Sequence, residues 1–478
     1  MSNVEKDVRD YQVELFDLLA EFFGRAVGEL PTTFATIEDF SEKIRRNASV
    51  LAHRGTDAFP WAYHNLGRFY AEKGPALFKA ASRIGGLKLV LGGSSRFRGS
   101  QLACVNGSLL YADTILIPDP VAPWLESERK EEKFRDVLML QAAHALLHLK
   151  PFIDAELPGC PVLVFPSWEK ALEEHDPKTT QGIFQLLADI SARYIDPSIT
   201  SMEELTNYMR DKPDAFLDGI EKNKLFIAPG GPIGRPIKET LAHYETELST
   251  WRTKTWLAEY NRLPVVAKVA NALVERVAPQ FHLVENAENL SAHPLICIEQ
   301  QAHYFRIVAD VNASRLERAG LLNSKTKAIL AGLTSERLEW LTQVPVEALV
   351  ELRRNNDNVA FRKSLFSAVG TLHEATLEDT DRVAAEICRE IDSGIADHNR
   401  LVRETVQKNK TKYAQWGAAA VLAGVGVLVP SLAPQIAAIL PLIPAGKLAF
   451  DVWDHANEKK RQAKSLMGVL AVARDAEP

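Results

Sequence analysis

The sequence predicts a mainly helical, multi-domain protein with a small α/β unit and a C-terminal apolar helical hairpin. Three observations support this fold class: apolar residues recur every three or four positions along most of the chain, short apolar runs cluster within residues 81–240, and residues 413–446 carry no charged side chain. These patterns divide the chain into a helical region 1–80, an α/β unit 81–240, a helical region 241–412, the apolar hairpin 413–450 and a charged tail 451–478.

The composition is that of an ordinary folded protein. Of the 478 residues, 46% are hydrophobic and 25% are charged, and the formal net charge is -6. This charge provides no general basic field, so nucleic acid is not expected as a partner. The first residues lack the pattern of a secretory signal, and the spacing of the cysteines predicts neither a disulfide framework nor a zinc site, which favours the cytoplasm. The four cysteines are Cys104, Cys160, Cys297 and Cys388.

Helical periodicity dominates the sequence on both sides of the predicted α/β unit. Apolar residues at three- and four-residue spacing predict a first helix over 4–27, and Thr36 with Asp39 resembles the capping box of a second. From residue 236 to about 412 the pattern is again helical, with turns expected at pairs such as His293-Pro294. The last of these helices is expected to run from about Leu377 into the 410s.

Short apolar runs predict the strands of the α/β unit. LKLVL (87–91), LLYADTILIPDP (109–120) and CPVLVFP (160–166) are rich in β-forming residues and bounded by glycine or proline. Helical patterns separate them, which indicates an α/β arrangement with some parallel pairing. KLFIAP (224–229) is expected to add a further strand.

The uncharged stretch 413–446 is the most informative feature of the sequence. Its two legs, 416–429 and 436–443, are each shorter than the roughly 20 residues that a spanning helix needs, and Pro430 and Pro434 argue against one straight helix. Basic residues outnumber acidic ones on both flanks, so the positive-inside rule places both flanks on the cytoplasmic side. A re-entrant or peripheral hairpin at the inner face of a membrane satisfies these constraints, and the basic flanks favour an anionic lipid surface.

Apolar and aromatic residues of this stretch are the candidate membrane contacts. Tryptophans near both ends lie where interfacial aromatics are expected. The alternative interpretation is a pair of buried core helices, since apolar runs of 10 to 14 residues commonly serve that role. The candidate contacts are Trp416, Val421, Leu422, Val425, Leu428, Ile436, Ile439, Leu440 and Trp453.

A glycine-rich loop after the first predicted strand is a candidate phosphate site. Small residues with accessible backbone N–H groups, together with two arginines, suit a phosphate group. The loop lacks both the P-loop and the GxGxxG spacings, so an ordinary turn is the alternative. The candidate residues are Gly92, Gly93, Ser94, Arg96 and Arg98, and the loop at 229–235 carries a weaker form of the same signal.

The other polar residues do not form a catalytic signature. His144 and His148 are four apart on one helix, but no glutamate of the HExxH kind separates them, so partly buried structural histidines are expected rather than a metal site. Asp119 lies between two prolines and is expected to stabilise a turn. The sequence identifies no catalytic residue, metal ligand or cofactor.

These patterns support three functional hypotheses. The leading one is a cytoplasmic protein that engages the inner face of a membrane through its apolar hairpin, as a permeabilising defence or toxin-like effector. The second is a soluble α/β enzyme or sensor that binds a phosphorylated small molecule near Gly92–Arg98. The third is a scaffold whose helical region 240–412 binds a protein partner or a second copy of the chain.

Overall fold

A computed structural model describes most of the N-terminal two thirds of the chain. The predicted hairpin 413–446, its candidate membrane contacts and the tail lie outside the described residues, and of the expected helix from Leu377 only Arg400 is described. The described residues are 3–29, 37–46, 48–93, 98–125, 135–166, 176–318, 346–355, 359, 362, 363 and 400.

The described part of the chain is mainly helical, as the sequence predicts. The first helix is confirmed, and a long third helix continues through Pro60 and Pro75. The helices are α1 (Asn3–Val27), α2 (Ile37–Arg46), α3 (Ala48–Arg83), α4 (Arg98–Ser108), α5 (Arg135–Leu147), α6 (Lys150–Asp154), α7 (Pro177–Tyr194), α8 (Met202–Asp211), α9 (Pro213–Lys222), α10 (Ile237–Trp251), α11 (Lys254–Asn261), α12 (Val265–Asn289), α13 (Glu299–Arg318) and α14 (Val346–Arg354).

A small parallel sheet organises these helices. Its strands follow the order β3-β2-β1-β4, and every neighbouring pair is parallel. Leu89 of β1 is opposite Ile115 of β2 on one side and His293 of β4 on the other. The strands are β1 (Lys88–Leu91), β2 (Thr114–Pro118), β3 (Val162–Phe165) and β4 (His293–Leu295).

Side chains alternate along the strands between two hydrophobic cores. In β1, Leu89 and Leu91 point into a core built with α1 to α6 and α14, whereas Val90 joins a core built mainly with α7 to α13. This two-residue period follows from the pleat of a strand. Helices therefore cover both faces of the sheet, which explains why the strand sequences are continuous apolar runs.

The predicted strand at KLFIAP (224–229) is wrong. Residues 225–228 are buried but form no ladder, because side chains supply the hydrogen bonds that a neighbouring strand would give. The Tyr304 hydroxyl accepts the Ile227 N–H at 3.0 Å and donates to the Leu225 carbonyl at 2.9 Å. Arg276 Nε donates to the Ile227 carbonyl at 3.3 Å.

The predicted turn at His293-Pro294 is also wrong, because these residues form β4, which lies outside the range 81–240. β4 is an edge strand that pairs only with β1. A proline is tolerated at an edge, where its missing N–H leaves no inner ladder bond unmade. At the opposite edge, Gln12 of α1 pairs with Val164, donating to its carbonyl and accepting its N–H at 2.8 Å each.

Candidate functional site

The topology of the sheet predicts a ligand crevice at the carboxyl ends of β1 and β4. From β1 the chain builds outward to β2 and β3, and it then returns to add β4 on the other side of β1. The helix after β1, α4, packs with Val105 in one core, whereas α13, the helix after β4, packs with Phe305 in the other. Because these two helices leave toward opposite faces, the carboxyl ends of β1 and β4 form a topological switch point, where open α/β sheets bind ligands.

The predicted glycine-rich loop begins at this switch point. The Gly92 N–H donates to the Leu295 carbonyl at 3.2 Å, which joins the ends of β1 and β4. A Cβ on Gly92 would lie 2.5 Å from Leu283 Cδ2 and 2.8 Å from Gln301 Nε2. Gly93 has φ +99, and a Cβ at this position would lie 2.9 Å from Gln301 Oε1. Both glycines are therefore needed, because the backbone passes against Gln301 with no room for a side chain.

Gln301 on the first turn of α13 holds a buried amide against these glycines. Its side chain is 4% exposed, and its Oε1 accepts the Cys297 N–H at 3.3 Å. That bond requires an oxygen, so the nitrogen is the atom directed at Gly92. Nε2 has no hydrogen-bond partner within the described part of the chain. A buried N–H group without an acceptor is costly, so this donor is available for a ligand.

Arg98 supplies a second such donor, on the helix that follows β1. It is the first residue of α4 and half-buried, and its Nη1 donates to Gln141 Oε1 at 3.4 Å. Its Nε is buried and finds no acceptor among the residues that the structure describes. Burial lowers the pKa of Arg98 to about 10, so the guanidinium stays charged at neutral pH.

The switch point thus gathers part of the predicted phosphate site and adds residues that the sequence analysis missed. Gly92 and Gly93 follow β1 and Arg98 begins α4, while Ser94 and Arg96 lie outside the described residues. Gln301 was missed because it is about 200 positions distant in sequence and belongs to no motif. Gln101 was also missed, and its Nε2 donates to the Gly92 carbonyl at 3.2 Å.

Two thiols lie directly beneath the crevice. Cys104 on α4 lies with Sγ 3.9 Å from the carbonyl oxygen of Ile296, beside Cys297 at the end of β4. Burial, and then the neighbouring Cys104 thiol, raise the pKa of Cys297 well above its ordinary value. Cys297 is therefore a protonated, unreactive group at neutral pH.

The carboxylate at the end of β2 has a structural role, as the turn prediction expects. Asp119 is 1% exposed, and its Oδ1 accepts the N–H groups of Val121 at 2.7 Å and Ala122 at 3.2 Å. Its Oδ2 accepts the hydroxyl of Tyr70. Burial raises the pKa of Asp119. All of these bonds are internal, so Asp119 stabilises the chain between β2 and α5.

His144 of α5 and His148, which follows the end of this helix, are packing residues. His144 is fully buried, and its ring stacks on Phe40 at 4.2 Å and on Phe23 at 5.6 Å between centroids. His148 meets His144 edge to face, and burial lowers the pKa of His148. Within the described ranges, no three potential ligands come together to hold a metal ion.

None of the helices that the structure describes is both long and apolar enough to cross a bilayer. Comparisons with protein-family models, with curated proteins and with solved structures each found no match.

Proposed function

We propose that the α/β unit binds a phosphorylated small molecule at the switch point. One observation carries this proposal: two buried N–H donors, Arg98 Nε and Gln301 Nε2, lack acceptors among the described residues and belong to the helices that follow β1 and β4, the strands of the switch point. Both nitrogen atoms can only donate hydrogen bonds. Such a set suits a ligand group that offers only acceptors, and a phosphate has several such oxygens together with negative charge.

The elements around the donors favour an anion as well. Arg98 begins α4, so the positive end of that helix dipole lies at this residue. The guanidinium adds a full charge in a half-buried place, where charge-assisted hydrogen bonds are stronger than in open water.

Thermal unfolding with a panel of phosphorylated compounds tests this proposal. A compound at 100 times its Kd stabilises a protein by about 2.7 kcal/mol. We expect at least one nucleotide, sugar phosphate or inorganic phosphate to raise the melting temperature, and Arg98→Ala or Arg96→Ala to weaken that shift. Arg262→Ala is the matched control, because Arg262 is an exposed arginine outside both glycine-rich loops. A panel without any shift contradicts the proposal.

Membrane engagement through residues 413–446 is the second proposed function. Its support is the sequence alone: 34 consecutive residues without a charge, with basic flanks on both sides, in a chain that is 25% charged. In this proposal the protein is a cytoplasmic effector of the defence or toxin type, and its folded part senses the trigger. Deleting 413–446 should move the protein from the membrane fraction to the soluble fraction, and unchanged fractionation contradicts this role.

A further inference from the structure

Helix α4 has the candidate ligand site at one end and a buried arginine at the other. Arg353 of α14 reaches the carbonyl groups that follow the last turn of α4. Its Nε donates to the Leu109 carbonyl at 3.0 Å, and its Nη1 donates to the Asp113 carbonyl at 2.9 Å. Nη2 donates to Leu109 at 2.5 Å and also to Ala112. Arg353 therefore caps the C-terminal end of α4, where a cation is favoured by the helix dipole.

A second arginine reinforces this contact. Arg362 Nε donates to Asp113 Oδ1 at 2.8 Å, while Asp113 Oδ2 accepts the Leu87 N–H at 2.8 Å. Asp113 thereby joins the start of β1 to residue 362. We call Arg353 and Arg362, with their acceptors on Leu109, Ala112 and Asp113, the arginine clamp.

The arginine clamp is deeply buried at its centre. Arg353 is 4% exposed, and burial, followed by the nearby charge of Arg362, lowers the pKa of Arg353 to about 9. Leu349 and Leu352 of α14 are fully buried in the same core as α6. α14 and Arg362 are thus attached to the segment between α4 and β2.

We propose that α4 couples the switch point to the arginine clamp, so that a ligand bound at Arg98 tightens the hold on α14 and Arg362. This inference rests on the proposed phosphate site. An 11-residue helix is about 16 Å long and moves as a unit, so restraint at one end restricts motion at the other. A ligand that must order a loosened α4 binds less tightly, because the loss of conformational freedom opposes binding.

Reciprocity makes the coupling measurable from either end. If the ligand strengthens the clamp, weakening the clamp must lower ligand affinity by the same factor. Arg353→Gln removes the cap, and Arg362→Gln removes the ion pair with Asp113 while leaving the cap in place, so the second variant remains informative if the first folds poorly. Arg354→Gln is the matched control, because Arg354 is exposed and its hydrogen bond to the Ala155 carbonyl at 3.3 Å lies outside the arginine clamp.

The experiment measures the Kd of inorganic phosphate and the deuterium exchange of residues 346–355 in the full chain. We expect phosphate to slow that exchange in the wild type. Arg353→Gln and Arg362→Gln should each raise the Kd by about fivefold or more, the lower end of typical allosteric couplings. The Arg354→Gln variant should bind as the wild type does.

The possible failures are distinguishable. Phosphate binding with the same Kd in all variants, or with no effect on exchange at 346–355, overturns the coupling and leaves the phosphate site intact. A wild type that does not bind phosphate overturns the phosphate site and the coupling together.

Discussion

The side-chain oxygen of Gln301 accepts the backbone N–H of Cys297 at 3.3 Å, and this bond decides which atom of the amide faces Gly92. The two partners are four positions apart, and the bond links the segment after β4 to the first turn of α13. Its consequence is a buried donor with a fixed direction. The proposed ligand site depends on this relationship, because a freely rotating amide would present an acceptor as readily as a donor.

Gly92→Ala should damage the site by steric conflict. The added methyl would lie 2.5 Å from Leu283 Cδ2 and 2.8 Å from Gln301 Nε2, so the glutamine or the strand end must shift. Overpacking of this kind destabilises by about 1–3 kcal/mol. Chemical denaturation should show that loss together with weaker phosphate binding. Gly85→Ala is the control, because nothing lies within 4 Å of its added Cβ, and an equal effect at both positions would contradict the steric explanation.

The fold was predictable where a pattern is local. The helix periodicity of α1 and the apolar runs of β1, β2 and β3 each report burial of a nearby segment, and the structure contains all four elements. β4 was not predictable from its three residues, His293–Leu295, because pairing with a strand 200 positions earlier makes it a strand. KLFIAP (224–229) predicted a strand wrongly for the converse reason. Its composition is typical of a strand, but the side chains of Tyr304 and Arg276 form hydrogen bonds with its backbone.

The site was predictable only in its glycine-rich half. A small-residue loop after a strand is a local signal, and it led to Gly92, Gly93 and Arg98. The strand order that makes this loop the switch point is a long-range property. Glutamine carries no motif, so Gln101, Gln141 and Gln301 become meaningful only once the fold brings them together.

Tyr70→Phe should destabilise the protein, because it removes a hydrogen bond to the buried carboxylate at the end of β2. The hydroxyl of Tyr70 donates to Asp119, which is 1% exposed. Its removal leaves a buried carboxylate oxygen without that donor, at a cost of about 1–3 kcal/mol. Tyr63→Phe is the matched change, because its hydroxyl donates to Asp136 at 3.3 Å in an exposed setting. Equal melting temperatures for the two variants would contradict the structural role of Asp119.

The burial of Lys88 should make the stability of the protein depend on pH in the alkaline range. The lysine is 3% exposed, its Nζ donates to the carbonyl groups of Ala81, Ser82 and Leu290, and burial lowers its pKa to about 8. An unfolded lysine titrates near pH 10.4, so the unfolded chain binds more protons between about pH 8 and pH 10. The free energy of unfolding should therefore rise with pH in this window.

The Lys88→Met variant isolates this effect. Below pH 8 the buried charge of Lys88 lowers the stability of the wild type by its full amount. This loss of stability becomes smaller as the pH rises toward the pKa of lysine in the unfolded chain. Denaturant titrations of both proteins from pH 7 to pH 10 should show the wild type gaining stability relative to Lys88→Met. A constant difference between them would show that the pKa of Lys88 is not lowered.

The three described cysteines should differ in reactivity. Cys104 is half-buried, whereas Cys160 and Cys297 are 7% and 5% exposed, and burial raises the pKa of Cys297. Alkylation needs an accessible thiolate. In native protein carrying Cys388→Ser, iodoacetamide at pH 8 should label Cys104 first, as peptide mass spectrometry would show. Faster labelling of Cys297 would contradict the packing beneath the switch point.

Anomalous diffraction from a crystal soaked in tungstate, a heavy analogue of phosphate, tests the proposed site most directly. The predicted result is a tungsten peak between the carboxyl ends of β1 and β4, with its oxygens bonded to Arg98 Nε and Gln301 Nε2. The amino-terminal edge of the sheet offers a competing place, a cavity of about 340 Å³ whose lining includes Asp113, Arg353, Arg362 and Lys363. A peak there and none at the switch point would contradict the proposed phosphate site.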